Sequence, residues 1–190
     1  KTDKTKFCYI NGEATSAAYW ICSLSDYIIA RPDSIIGSIG AYIIIADVSG
    51  LLNKLGINVS IIKSTPYKDI GTHYRSPTEF EKEYLLNITR DVTNMFIEDV
   101  ISNRKIKDNI SLSGLWFLAY RAKELGLIDE IGELEDVINY IANYYNVSRE
   151  EIQIVIKRYE YKRPWYYSLL NFNGFLKEMY ENSIRAKILI

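Results

Sequence analysis

Between Phe7 and Ile62, short apolar runs alternate with stretches that read as helix, and this alternation limits the fold more than any other feature of the chain. Phe7 to Ile10 is strand-like, and Ser16 to Leu24 can form a short helix. Tyr27 to Ala30 reads as a buried strand, closed by Arg31-Pro32-Asp33 because proline has no N–H to give to a ladder. A further apolar stretch, Ile39 to Ile45, follows Gly37-Ser38. Asp47 to Leu55 then reads as a helix ended by Gly56, and Ile57 to Ile62 as a strand with β-branched residues at most positions. Strands joined by helical crossovers predict an α/β domain with a largely parallel sheet.

The second half is more helical. Phe80, Tyr84, Ile88, Val92, Met95, Phe96 and Val100 recur at threes and fours, which predicts a long amphipathic helix opened by Ser76-Pro77-Thr78-Glu79. A helix around Trp116 to Leu125 and a short strand at Ile128 to Ile131 come next. They are followed by a helix with Leu134, Val137, Ile138, Ile141 and Tyr145 on one face. Ile152 to Ile156 is expected to be an edge strand. From Trp165 onward, Phe172, Phe175, Leu176 and Met179 stand at helical spacing, and seven basic residues face three acidic ones from Lys157 to the end. The expected organisation is one domain over residues 1–160 and a basic amphipathic extension over 161–190.

Composition removes whole classes of function. At 190 residues and 48% hydrophobic the chain buries a core, and it is short for two domains. Its 23 Lys plus Arg against 24 Asp plus Glu argue against nucleic acid as a partner, because duplex binders carry a basic excess. Two cysteines, Cys8 and Cys22, rule out a disulfide framework and a four-cysteine zinc site, and the single His73 rules out a multi-histidine metal centre. The longest near-apolar stretch, Ile35 to Ala46, is too short to span a bilayer. No secretory signal opens the chain at Lys1, which reads as a fragment or a processed product. Sequons at Asn58, Asn87, Asn109 and Asn146 would be tolerated by an exported domain.

No G-x-S-x-G elbow, P-loop or H-E-x-x-H is found. His73 stands in the polar loop Gly71-Thr72-His73-Tyr74 and reads as a solvated imidazole, while Cys22 reads as a buried structural thiol. The remaining type of base is lysine. A neutral lysine amine can accept a hydroxyl proton if its pKa falls by roughly three units from about 10.4. Lys68 lies within Ser64-Thr65-Pro66-Tyr67-Lys68-Asp69-Ile70-Gly71, and by itself it reads as a surface lysine paired with Asp69.

Four motifs in order change that reading. Ala14-Thr15-Ser16-Ala17-Ala18-Tyr19-Trp20 comes first, and Gly37-Ser38-Ile39-Gly40 follows it. Lys68-Asp69-Ile70-Gly71 then leads through Arg75 to Thr78-Glu79, and Ala122-Lys123-Glu124-Leu125-Gly126-Leu127-Ile128-Asp129 closes the series. Together, from about Lys6 to about Lys157, they resemble the signal peptide peptidase A (protease IV) family of membrane-associated serine proteases. The resemblance implies Ser16 as nucleophile, Lys68 as general base, Ser38 as a hydrogen-bonding partner of the lysine amine, and the Ala17 N–H as an oxyanion donor. It implies no metal or organic cofactor.

The implied fold is the Clp-protease/crotonase-like α/β superfold, a parallel sheet with flanking helices. Its early strands, the loop giving a second oxyanion donor and a membrane anchor would lie outside this chain. Implied partners are extended apolar peptides such as remnant signal peptides and further copies in a ring, with the catalytic domain outside the cytoplasm. The family's two glycines after the serine are Ala17 and Ala18 here, which narrows the space beside the nucleophile and predicts small residues at the cleaved position. Two alternatives accompany this reading. One is a crotonase-like acyl-CoA enzyme, which needs paired glutamates where only Glu13 is near. The other is a catalytically silent oligomeric scaffold of the same fold.

Overall fold

The computed structural model describes residues 4–155. Along the chain run β1 (Phe7–Ile10), β2 (Glu13–Thr15), α1 (Ala17–Ser23), β3 (Tyr27–Ala30), β4 (Ile35–Gly37) and α2 (Ser49–Lys54). They are followed by α3 (Glu79–Asn103), β5 (Trp116–Leu118), α4 (Ala119–Leu125), β6 (Glu130–Ile131) and α5 (Leu134–Tyr145). One sheet has the order β1-β3-β6 with all pairs parallel, and Cys8 stands opposite Ile28. The other has the order β2-β4-β5, with β2 and β4 parallel and β5 antiparallel to β4. Parallel neighbours need a crossover, and β2 with α1 supplies the one between β1 and β3. Residues up to Arg149 form one compact unit. The expected α/β architecture, parallel strands with flanking helices, is what the chain adopts.

The core forms where these layers meet. Ile28, Ile29 and Ala30 are all buried, so β3 is covered on both faces, as a central parallel strand requires. Helix α1 contributes Tyr19 and Cys22, α3 contributes Phe96 and Val100, and α4 contributes Ala119, Ala122 and Leu125. The Gly126-Leu127-Ile128-Asp129 stretch is the junction of these parts. Gly126 has φ +82°, and any Cβ there would run into the Lys105 carbonyl oxygen. The Tyr19 hydroxyl donates to the Leu127 carbonyl at 2.8 Å. Asp129 accepts from the Ile28 N–H at 2.7 Å and pairs with the buried Arg104 guanidinium at 2.7 Å.

Several expectations give way. Residues 57–62 are not a strand: they have no regular structure, and Ile62 is 98% exposed. β-branched residues favour a strand only where a neighbouring ladder receives them, and none pairs here. Residues 152–155 likewise form no strand, and Ile156 and the helix expected from Trp165 lie outside the described residues. The expected helix at Trp116 begins three residues later, because Trp116 to Leu118 pair with β4 as β5. The expected strand at Ile128 is reduced to Glu130–Ile131, and the sheet is split in two with one antiparallel edge. Cys22 is not a free thiol. It is joined to Cys8 in a disulfide across a Cα–Cα distance of 5.7 Å, which ties α1 to β1.

Candidate active site

Strand β2 ends at Thr15 and α1 begins at Ala17, so Ser16 makes the whole bend alone. Its backbone stands at φ 52° and ψ −127°. A non-glycine residue held there costs on the order of 1–3 kcal/mol, and it persists only where its surroundings fix it. Here the Ser16 N–H donates to the Gly37 carbonyl at 2.9 Å, and its own carbonyl accepts from the Trp20 N–H at 2.9 Å. The hydroxyl is exposed and does not cap the helix it precedes. A strand–turn–helix bend of this kind presents a serine oxygen outward. Ala17 supplies the first amide of α1, which has no acceptor in the helix's own ladder.

Ser38 leaves the neighbouring strand end. Thr15 stands opposite Gly37 in the β2–β4 register, so Ser16 and Ser38 follow from paired positions. Gly37 has φ +117°, and a Cβ there would sit 2.8 Å from the Leu115 carbonyl oxygen, so only glycine fits the close pass of the two chains. Ser38 is half-buried, with φ 54° and its N–H on the Leu115 carbonyl at 2.7 Å.

A cleft opens beside Ser16. Ser16, Ala17, Trp20, Gly40, Ala41, Tyr42, Val92 and Phe96 line it. Trp20 stacks on Phe96 at 4.6 Å and donates to Asp99 Oδ2 at 2.7 Å, which fixes α1 against α3. Ala41 and Tyr42 also border a groove between residues 41–45 and α3, where Lys82 is the single charged lining residue among those described. No carboxylate among the described residues lines either part. Glu13, the carboxylate nearest Ser16 in sequence, accepts from the Thr15 hydroxyl at 2.5 Å and does not line the cleft. Among the described residues no cluster of three or more His, Cys, Asp or Glu could hold a metal ion.

Lys68 is placed differently. It lies in the turn between Thr65 and Gly71, its N–H on the Thr65 carbonyl at 3.3 Å, and its side chain is exposed. No hydrogen bond joins it to Ser16 or Ser38, and it does not line the cleft. Nor is it paired with Asp69. Asp69 Oδ1 is taken by Lys63 Nζ at 2.7 Å and Oδ2 by Arg75 Nε at 2.7 Å. Arg75 also grips Glu81 through two nitrogens, at 2.7 and 2.5 Å. Glu81 completes a capping box with Thr78, accepting from the Thr78 N–H at 2.8 Å while its own N–H bonds Thr78 Oγ1 at 3.2 Å. The Arg75 hydrogen bonds hold Asp69 well below the usual carboxylate range and Glu81 down at about 2.

His73 binds main chain, with Nδ1 2.9 Å from the Ala46 carbonyl and its own carbonyl accepting from the Val48 N–H at 2.9 Å. No hydrogen bond joins it to Ser16, and it does not line the cleft. Motif reading passes through Arg75 and the Thr78-to-Glu81 spacing but gives Arg75 and Glu81 no role, although that spacing carries the capping signal.

The family model for peptidase family S49 matches residues 1–148. A protein of Methanocaldococcus jannaschii named as a protease is 39% identical over 147 residues, covering 76% of this chain and 47% of that protein. A protein of Enterococcus faecium named as a signal peptide peptidase is 30% identical over 142 residues, covering 73% and 41%. The chain thus spans less than half the length of these two relatives. Among solved structures, an enoyl-CoA hydratase from Thermoplasma volcanium is 15% identical, with 78% of this chain and 43% of that one aligned and a TM-score of 0.37. A membrane-bound stomatin-specific protease in complex with a substrate peptide, also 15% identical, aligns over 70% and 50% with a TM-score of 0.32.

Proposed function

Because the chain belongs to peptidase family S49, we propose that it is a serine peptidase acting through Ser16. The observation that carries this reading is the bend at Ser16, held at φ 52° with its hydroxyl uncommitted beside an apolar cleft. The Ser16 oxygen attacks the scissile carbonyl carbon as its proton passes to the neutral amine of Lys68. The carbonyl π electrons move to oxygen, which the Ala17 N–H stabilises; loss of such a donor costs on the order of 3 kcal/mol elsewhere. Collapse re-forms the carbonyl and breaks the C–N bond. The Lys68 proton goes to the leaving amine, and an ester remains on Ser16. Water then attacks the ester, giving its proton to Lys68, and the acid departs as the proton returns to Ser16. Ser38 keeps the lysine amine aimed. These steps use no metal or organic cofactor.

In the described conformation the exposed turn must deliver Lys68 to Ser16 for this chemistry to run. Substrates are extended apolar peptides with small residues at the cleaved bond, since Trp20, Tyr42, Val92 and Phe96 line the cleft and Ala17 adds a methyl beside the nucleophile. Remnant signal peptides fit that description, and the name of the Enterococcus faecium relative supports it. We place the peptidase beside a membrane; no helix among the described residues is long and apolar enough to cross one.

The test is reaction with a peptidyl fluorophosphonate followed by peptide mass spectrometry. The expected adduct lies on Ser16, is lost in Ser16→Ala, and is lost or slowed at least a hundredfold in Lys68→Ala. An unlabelled wild type, or an adduct that survives Ser16→Ala, leaves the silent scaffold as the better reading.

A further inference from the structure

A lysine that serves as base must be a neutral amine, and an anion beside it works against that by stabilising the ammonium. Asp69 is the next residue after Lys68, so the sequence sets such an anion at the base itself. The structure gives that carboxylate to other cations. Lys63 holds one oxygen and Arg75 the other, each at 2.7 Å, and the Asp69 side chain is only 8% exposed. Arg75 is in turn balanced by Glu81, whose side chain is 3% exposed. Two cations and two anions close on each other, and the cluster offers Lys68 no unpaired charge.

We propose that Lys63 and Arg75 act on the base indirectly, by occupying both oxygens of Asp69 and so denying that carboxylate to Lys68; they are positioning residues, and the inference rests on the peptidase reading above. Several charged or titratable groups on the flanking segments have partners of their own. Glu79 and Lys82 on the first turn of α3 pair with each other at 2.6 Å. Asp47 accepts from Ser49 and Ser76, and His73 is held on the Ala46 carbonyl. The ring of Tyr67, beside Lys68, packs on Phe80 of α3 at 4.9 Å, which keeps the turn and the cluster together.

The experiment is the rate of Ser16 acylation by the same fluorophosphonate from about pH 6 to about pH 10. In Arg75→Gln and Lys63→Gln a freed Asp69 should move the rise of the profile about one unit upward, a loss of about tenfold at neutral pH with the alkaline plateau kept. Adding Asp69→Asn to either variant should return the inflection to its wild-type position, a rescue that a merely structural role would not produce. Lys63→Gln, at a more exposed site, decides the matter alone if Arg75→Gln does not fold. A lowered plateau with an unmoved inflection, or no rescue by Asp69→Asn, overturns the proposal. A wild type that takes no adduct on Ser16 overturns the peptidase reading itself, whereas a labelled wild type with an immobile inflection overturns this inference alone.

Discussion

Ser16 occupies a backbone conformation that suits glycine better than serine. Ser16→Gly is therefore expected to raise stability to urea by on the order of 1 kcal/mol while abolishing acylation, and Ser16→Ala to abolish acylation without that gain. Equal stability of the two variants would mean that the bend stores no strain. Glu81 makes a separate prediction. Arg75, and after it the Thr78 N–H, bring its pKa down from 4.5 to about 2. A depressed carboxylate contributes stability that is present above its ordinary value and lost as pH falls through the folded one. The urea midpoint should thus decline between about pH 4.5 and about 2, and the decline should be shallower in Glu81→Gln. Motif order names Ser16, Ser38, Lys68 and Ala17 as candidates, and the fold sets Ser16 and Ser38 after paired strand ends while Lys68 stands in an exposed turn. That order could not pair Asp69, because adjacency in sequence suggests Lys68 whereas the fold brings Arg75 and Lys63 to it.

Helix α1 follows directly on the proposed nucleophile and is only two turns long, so its placement depends on what it is fastened to. Tyr19 fastens it to Leu127, Trp20 to α3, and the Cys8–Cys22 disulfide to β1. A cross-link closing a loop of sequence separation 14 stabilises by about 3 kcal/mol in the chain-entropy account. Cys8→Ser with Cys22→Ser should lose about that much in urea unfolding, and reductant should bring the wild type to the same midpoint. A wild type indifferent to reductant would show that the pair is not cross-linked in solution. Helices with several turns were legible: the apolar period expected between Phe80 and Val100 became Glu79–Asn103, and the one at Leu134 became Leu134–Tyr145. Strands of three residues such as Glu13–Thr15 are too short to show a period of two, and the ladder that makes them strands comes from distant sequence. For the same reason the β-branched run at 57–62, rich in propensity, stays without regular structure.

At the scale of the whole molecule, apolar surface remains uncovered. Tyr42 is 82% and Ile44 76% exposed in the loop beyond Ser38, and Phe80, Tyr84 and Met95 on α3 are more than half open or close to it. Apolar side chains scattered singly need no explanation, but a set this large on the loop and helix that bound the candidate cleft is what an interaction surface would expose. The resemblance read from the sequence points to further copies of the chain. Self-association is therefore expected, giving a mass above 22.0 kDa in light scattering that rises with concentration. Ile44→Glu with Met95→Glu should shift the population toward monomer, because each buries a charge in any apolar contact made there. The basic extension, which the sequence reading favours as the subunit contact, is tested by removal of residues 164–190. If truncation dissolves the assembly and the two glutamates do not, the contact lies in the tail. A 22.0 kDa species at every concentration, in the intact chain, would leave these faces to a different partner and end the ring reading.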